Sequence, residues 1–575
     1  MNGMHLAAPD LVVVLGYFVL VLLIGMYFRR QQKTAEDYFA GGHQVSWWLA
    51  GISHYMSGFS AFTFVVYSEI AYRYGLVAII LFWTSVPACI LGGALFAKRW
   101  RRARIITPVE FLEQRCSLAV RQTFAWAAIP AKIFEDSLKI FTTALFLSAG
   151  MGLGIGMSIL LCTLIVIAYT VLGGLLALVV TDYLQFLMKA LAILLLLPLA
   201  IWRLGGLVAS FHAVPRDLLH AHAGPYSWVY ILSYLLIVCI SYNGSWSFAQ
   251  KYYSVPDERS GQRAAYLAAA LNFIGTPILL LPAMMARSLM PQFSATHKPQ
   301  DVYVQLIFTL LPPGMIGIII AALFSATMAT VSADLNAIAG VLTKDVYQRI
   351  LRPHTTERGL VTVGRALTFI LGSLLLALSL WLAHSHQDSL FHVMVTAFGV
   401  LLSPTLLPML ATLLFPRLTS RGVLAGFTTG LASGILTLCA KTWLMSHSAA
   451  PTQVLDYQLE GISIFINVAA TCVGMYLGSL WLSITPDEQA RTTAFFARLQ
   501  RPITAAESHV SEHQAEGTSQ ILRLSTAAVG ALLAAAGLLS HSLQARWVDL
   551  VLGGVLLLSA TLSAAWRRAR QETTS

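Results

Sequence analysis

The chain has 575 residues, 57% of them hydrophobic and only 11% charged, with a formal net charge of +11 and a mean hydropathy of +0.71. A soluble globular chain of this length does not have that composition; this is the composition of a polytopic membrane protein. Nor does the positive charge mark a nucleic-acid binder. Roughly 27 of the 37 Lys and Arg fall in alternate connections between apolar segments, the arrangement that the positive-inside rule assigns to the cytoplasm.

Apolar windows of about 20 residues are long enough to cross a hydrocarbon core of ~30 Å. They are predicted near 10–28, 46–71, 76–97, 122–150, 152–178, 181–203, 227–249, 262–289, 313–342, 360–384, 390–415, 422–444, 461–483, 521–540 and 547–566. That is about fifteen spans in an all-α fold. The basic connections are Arg29–Lys33, Lys98–Arg121, Lys251–Arg263, Lys344–Arg365, Arg417–Arg421, Arg491–Arg523 and Arg567–Arg570. With these inside, the N-terminus is expected outside and the C-terminus in the cytoplasm of a cell whose plasma membrane the chain crosses repeatedly. No basic region or small-residue cleavage site precedes the first segment, and Arg29 and Arg30 follow it, so it reads as a retained span rather than a cleaved signal.

The second span is interrupted by Ser57-Gly58-Phe59-Ser60 and the seventh by Ser241-Tyr242-Asn243-Gly244-Ser245. Glycine beside small hydroxyl residues lowers the cost of an unwound turn whose freed carbonyls face a cation or a solute. A packing kink reads the same way. Between the breaks, Glu69 stands one helical turn from Arg73, which suits either an ion pair or a solute hydroxyl. His54 is flanked by apolar residues and reads as a packing histidine rather than a proton carrier. Lys132, Glu135, Asp136 and Lys139 have the spacing of an internal salt-bridge ladder, structural or gating. Asp182, with Thr181 beside it as a cap, reads as an acid at the start of the sixth span, favoured there by the helix dipole.

Ala321 to Tyr347, AALFSATMATVSADLNAIAGVLTKDVY, carries Ser325, Thr327, Thr330, Ser332, Asp334 and Asn336 inside an apolar span. Such side chains must face protein or a water-filled path. Small residues at Ala326, Ala329, Thr330, Ala333 and Ala337 give that helix a face for close backbone approach, with oxygens on it. Hard cations take oxygen ligands, so this face is a candidate cation site as well as a candidate packing seam. Asp334 either biases an ion exit path or pairs with a basic loop residue.

Cys89, Cys116, Cys162, Cys239, Cys439 and Cys472 show no paired or metal-ligand spacing and are expected as buried free thiols. No phosphate-cradling Gly-rich loop, GxSxG turn or HExxH pair is present, and the polar stretch 486–520 is too short for a folded soluble domain. A nucleotide-driven pump and a membrane-integral enzyme are therefore not expected; a transporter-derived nutrient sensor stays an alternative, since the chain ends in two extra spans and a cytoplasmic tail, although no kinase- or receiver-sized region follows Arg567 to signal autonomously.

Five passages resemble the sodium/solute symporter family, the group of bacterial proline, sugar and sialic acid symporters and animal sodium/glucose cotransporters. They are DYFAGGHQVSWWLAG (Asp37–Gly51), TPVEFLEQR (Thr107–Arg115), GGLLALVVTDYLQF (Gly173–Phe186), the Ala321–Tyr347 helix, and SP…PRLTSRGVLAGFTTG (Ser403–Gly430). The resemblance implies a five-plus-five inverted-repeat transporter, with one extra N-terminal span and about four extra C-terminal spans, and ligand sites near the midplane where the first helix of each repeat breaks. The chain then divides into 1–45, an extra span and loop; 46–204 and 205–420, the two repeats; 421–485, two further spans; 486–520, a cytoplasmic linker; and 521–575, two last spans with a basic tail.

By the same resemblance the sodium ion is held by the carbonyls of Met56, Phe59 and Ala326 and by the side-chain positions Ala329 and Thr330, with Asp182 and Ser332 as further candidates. The chain departs from the family at Ala329, where a hydroxyl is expected; this leaves proton coupling or uncoupled transport as alternatives. A second sodium lacks one hydroxyl at Ala333. Ser57, Ser60, Thr63, Glu69, Tyr242, Asn243, Trp246 and Gln250 are the expected solute contacts, because polar solutes need partners that an apolar bundle lacks. Ser245 and Trp246 replace the asparagine-glutamine pair of sugar-transporting relatives. The expected function is inward symport of sodium with a sugar, sugar acid, amino acid or carboxylate. Its partners are the solute, Na+ as the co-transported ion and the lipid bilayer, with no nucleic acid.

Overall fold

A computed structural model describes residues 7–29, 34–293, 298–311, 315–384, 390–448, 452–481, 484–504, 506–508, 512–540 and 542–574. Of the expected basic connection at 29–33, all but Arg29 lies outside them. The order is α1 (Ala8–Arg29), α2 (Trp47–Ser57), α3 (Ser68–Tyr74), α4 (Leu76–Arg102), α5 (Leu118–Met151), α6 (Ile155–Arg203), α7 (Trp228–Gly244), α8 (Trp246–Tyr253), α9 (Glu258–Leu289) and α10 (Ile316–Val341). It continues with α11 (Glu357–His384), α12 (Leu390–Leu414), α13 (Ser420–His447), α14 (Gln453–Trp481), α15 (Pro486–Gln500), α16 (Glu512–Leu539) and α17 (Leu543–Thr574). The fold is all-α.

Length and apolarity alone single out 11 membrane-crossing helices among the described residues, or 12 if the bent pair α7 and α8 is one span. The difference from fifteen windows has identifiable sources. At 49 residues α6 would run about 73 Å if straight, twice a bilayer core, and it turns at Gly174, whose φ of 55° and ψ of −175° belong to glycine alone. It counts as one apolar helix and spans as two. In α5 the four charges from Lys132 to Lys139 spoil the apolar window, and α2 and α3 are separated by the break at Gly58.

Capping fixes where several helices start. The hydroxyl of Ser117 accepts from the Val120 amide at the head of α5, Asp257 accepts from Ser260 at α9, and Thr419 from Gly422 at α13, each satisfying an orphan donor. At the heart of the bundle lies α10, with every residue from Ile316 to Val341 buried. It packs against α1, α5, α6 and α11. Both breaks flank it.

The polar connections clamp the bundle at one end. Thr107 donates to the Asp345 carboxylate at 3.0 Å, and Arg121 contacts the same oxygen. Arg115 donates to the carbonyls of Pro416 at 3.0 Å and Leu418 at 2.7 Å, so the TPVEFLEQR passage ties to the middle and to the end of the second repeat. The stretch 486–520 is not a plain linker: α15, begun by the Thr485 cap and Pro486, packs on the short helix Glu110–Arg115. Beyond the repeats, Gly422, Gly426, Gly430 and Gly434 recur at one-turn spacing, and a Cβ on any of them would strike α14. Such a small-residue face lets two helices in lipid approach closely. In the last hairpin α17 packs on α16, and α16 rests on α1 and α6. Of the six free cysteines, Cys439 and Cys472 are exposed rather than buried, because α13 and α14 face outward from the bundle.

Candidate functional site

Both breaks form as expected. The first helix of the leading repeat stops at Ser57, and after Gly58, Phe59 and Ser60 the chain resumes helically, with a wide turn over Thr63–Tyr67. In the other repeat Ser245 adopts an extended conformation (φ −61°, ψ 138°) between α7 and α8, which meet at 50°. Between the breaks lies a cavity of about 100 Å³, lined by Ser57, Gly58, Ser60 and Thr63 on one side, Ser241, Tyr242 and Phe248 on the other, with Thr330, Glu135 and Lys139. Gly58 matters for closeness: a Cβ there would lie 2.5 Å from the Tyr242 hydroxyl oxygen.

Four of the expected solute contacts, Ser57, Ser60, Thr63 and Tyr242, therefore line the cavity. The other four do not. Glu69 pairs with Arg73 at 3.2 Å, the commoner outcome of that spacing. Asn243 is spent on backbone, donating to the carbonyls of Ala88 at 3.1 Å and Cys239 at 2.9 Å. Gln250 donates to the Phe39 carbonyl at 2.6 Å and to Asn336 at 3.0 Å, and Trp246 is a buried core side chain. Residues on the far side of a helix from a break cannot reach the opening it makes.

Oxygen atoms converge at the candidate sodium position. The Thr330 hydroxyl lies 2.8 Å from the Phe59 carbonyl and 2.8 Å from the Ala326 carbonyl. The hydroxyl proton is shared between the two carbonyls, and three oxygens gathered in this way fit a monovalent cation. Ala329 is fully buried beside it and adds no side-chain oxygen. The Met56 carbonyl accepts the Phe59 amide at 3.0 Å. Ser332 turns away, toward the Tyr169 hydroxyl and the Ala329 carbonyl.

Asp182 does not start a helix. The segment after Gly174 is helical from Leu175, and the Thr181 hydroxyl donates back to Ala177 and Leu178 rather than capping. The carboxylate is fully buried, takes the Ser53 hydroxyl on Oδ2, and leaves Oδ1 without a hydrogen-bond partner among the described residues. The His54 ring sits 3.0 Å from the Tyr252 hydroxyl, packed among Tyr242, Phe248 and Tyr252, as a packing histidine should.

Asp334 pairs with membrane lysines, not with a loop residue. Lys132 reaches Glu135 at 2.9 Å and Asp334 at 3.2 Å; Lys139 reaches Glu135 at 2.7 Å, Asp136 at 3.0 Å and Asp334 at 3.5 Å. The expected ladder on α5 is thus a cluster closed by α10, and Glu135 and Lys139 carry it to the cavity wall. Sequence reasoning missed that role because spacing shows which groups share a face but not what the face meets. It also missed Lys189, a buried lysine in an apolar span, whose ammonium lies 2.9 Å from the Phe59 ring centroid and 3.8 Å from that of Tyr55. A lone lysine within an apolar window was the signal available.

Two broken helices around a cavity lined by hydroxyls and aromatic rings have the arrangement of a secondary transporter of the inverted-repeat kind. The chain matches the model of the sodium:solute symporter family over residues 38–430 and belongs to that family. It is 24% identical to the sodium/sialic acid symporter NanT of Aliivibrio fischeri, over 84% of this chain and 96% of the relative. To the human sodium/iodide cotransporter it is 29% identical, over 72% of this chain and 68% of that protein. Its fold matches a substrate-bound, outward-open Na+-coupled sialic acid symporter with a TM-score of 0.68 at 20% identity, covering 83% of this chain and 98% of the other.

Proposed function

We propose that this protein is a symporter that uses inward sodium flow to import a small polar organic solute by alternating access. The observation that carries this reading is the meeting of Thr330 with the carbonyls of Phe59 and Ala326, at 2.8 Å each, beside a cavity between two helix breaks. Ion and solute then share the first break, so binding of one organises the turn the other needs. Thr330 and the two carbonyls would hold the sodium ion, with Asp182 near a further ion position. Ser57, Ser60, Thr63 and Tyr242 would hydrogen-bond the solute. The membrane potential adds about 2.3 kcal/mol per charge per 100 mV to inward cation flow. The basic connections support a plasma-membrane protein with its N-terminus outside and C-terminus in the cytoplasm.

Ala329 supports a second reading, proton coupling, since it removes a sodium ligand. The test is a thermal-shift titration of the purified protein with NaCl against KCl at constant ionic strength, because a ligand that binds only the native state raises its apparent stability. Sodium symport expects a sodium-specific shift that Thr330→Ala abolishes. Equal shifts from both salts would sink it in favour of proton coupling.

A further inference from the structure

We infer that α15, with the turn after it, is a latch across the inner mouth of the transporter, closed while sodium is bound from outside and lifted to release ion and solute. This rests on the symport reading and the orientation proposed above, and adds the element that shuts the cytoplasmic side.

The segment is made to lie on a surface. In α15 the buried residues Glu488, Thr492, Phe495 and Leu499 recur at four- and three-residue spacing, one face of an amphipathic helix. That face meets parts of the chain that are far apart in sequence. Glu488 accepts from the Ser420 hydroxyl at the head of α13, and Thr492 from Arg115, each at 2.7 Å. Arg102, at the end of α4, donates to the Leu499 carbonyl at 3.0 Å, and Glu258, at the head of α9, accepts from the Ile503 amide at 3.0 Å. Arg104 reaches Glu507 at 3.0 Å and the Pro502 carbonyl at 3.2 Å. One strap thus ties the ends of α4, α9 and α13 to the short helix Glu110–Arg115. Alternating access rocks one group of helices against another, so these ends part only when the strap yields.

Two contact paths join the strap to the ligand site. Phe495 stacks on Phe111 with centroids 5.8 Å apart, Phe111 meets Trp100 edge to face at 5.3 Å, and the Trp100 indole donates to the carbonyl of Asn243, in the second break, at 3.2 Å. Thr107, just ahead of the short helix, donates to Asp345 in the last turns of the span Ile316–Leu351, which carries Thr330. A shift at the second break or along the sodium helix therefore moves the surface on which the strap lies. Its attachments suit repeated release. Arg104 and Glu507 form a partly exposed ion pair, and pairs of that kind hold weakly in water.

The chain carries its own reporter. Cys116, next to Arg115, is fully buried and within electrostatic reach of Glu488 and Arg491 on α15. Burial pushes its pKa up to about 11, so the thiol reacts slowly while it is covered.

The experiment treats the full chain in nanodiscs with a charged methanethiosulfonate, in NaCl or KCl at constant ionic strength, and reads modification of Cys116 by peptide mass. Modification is expected to be at least fivefold faster in KCl than in NaCl. Phe495→Ala is expected to react fast in both salts while keeping the sodium-specific thermal shift. Because that substitution removes a buried ring, hydrogen exchange of the α15 amides in the unsubstituted protein is the second measurement, expected to be faster in KCl. Equal exchange in the two salts would overturn the latch, whatever the thiol shows. With the sodium-specific thermal shift present, that result leaves sodium symport standing; with the shift absent, the symport reading falls too. A Phe495→Ala protein modified as slowly in NaCl as the wild type would also overturn the latch, since the strap would then not be what covers Cys116.

Discussion

Thr330 and Phe59 stand 271 positions apart in the chain, and the hydroxyl of one touches the carbonyl of the other at 2.8 Å. The contact joins the fully buried helix α10 to the first break, so it reports on whether the break is closed. A threonine there supplies both a hydrogen bond and a potential ion ligand, and the two roles separate by mutation. Thr330→Ser keeps the oxygen and is expected to retain the sodium-specific thermal shift, whereas Thr330→Ala loses it. The alanine also loses a hydrogen bond of about 1 kcal/mol, so its Tm in KCl falls by a few degrees. Equal sodium shifts in the serine and alanine variants would remove Thr330 from the ion site.

Ala329→Ser adds the oxygen that the family pattern places there. The site is buried and an oxygen is a small addition, so the fold is expected to tolerate it. Sodium titration of transport in proteoliposomes is expected to show a several-fold lower half-saturating concentration than wild type. An unchanged or higher value would mean that residue 329 does not face the ion.

Lys189 offers a stability test. Its buried amine has no hydrogen-bond or ion-pair partner among the described residues and rests on the rings of Phe59 and Tyr55. Leaving a buried donor unsatisfied costs about 1–3 kcal/mol, and the ring contacts return up to about 2 kcal/mol. Lys189→Met keeps the volume and is expected to raise Tm by a few degrees in thermal unfolding. A lowered Tm would mean that the ring contacts outweigh the unsatisfied amine.

Gly75 joins α3 to α4 with φ at 66°, and a Cβ there would collide with the backbone carbonyl of Leu218. Both strain and clash oppose any side chain. Gly75→Ala is expected to lower Tm by more than Gly554→Ala, where a Cβ meets nothing within 4 Å. Equal Tm values for the two would show that the connection relaxes freely.

Glu113, in the short helix before α5, bridges Arg349 at 2.6 Å and Arg121 at 2.5 Å. The hydrogen bond from Arg349, and after it the Arg121 contact, hold its carboxyl below the ordinary glutamate value against the opposing effect of burial. A depressed folded-state value stabilises the fold above the unfolded pKa of about 4.3 and loses that contribution as pH falls through the lower folded value. Stability between pH 6 and pH 8 should therefore be the same in wild type and Glu113→Gln apart from a constant offset, the curves converging only in acid. A gap in Tm that changes across the neutral range would contradict this ionisation state.

The helical bundle was legible because lipid imposes a length and a polarity on every span, and the breaks were legible because Gly58 and Gly244 sit among hydroxyls where a span should be apolar. Thr330 was readable for the same reason. What sequence could not supply was direction. Asn243 and Gln250 are polar residues next to a break, yet both hydrogen-bond to the scaffold, while Glu135 and Lys139, which look like an ordinary helix-surface ladder, stand on the cavity wall. The Asp334 partners were hidden because Lys132 lies 202 positions away. Such pairings are set by which helices become neighbours, and nothing local to either residue encodes that.

The complete burial of α10 has a consequence for how the protein is made. A nascent helix enters the bilayer exposed to lipid, yet this one carries Asp334 and a run of hydroxyls and ends with no lipid-facing residue at all. Lys132 and Lys139 are synthesised some 200 positions earlier, so the counter-charges are already in the membrane when Asp334 arrives. The first half of the chain thus prepares the berth for its central helix, and biogenesis has an order: α5 before α10, with α11 and the following helices closing around it afterwards.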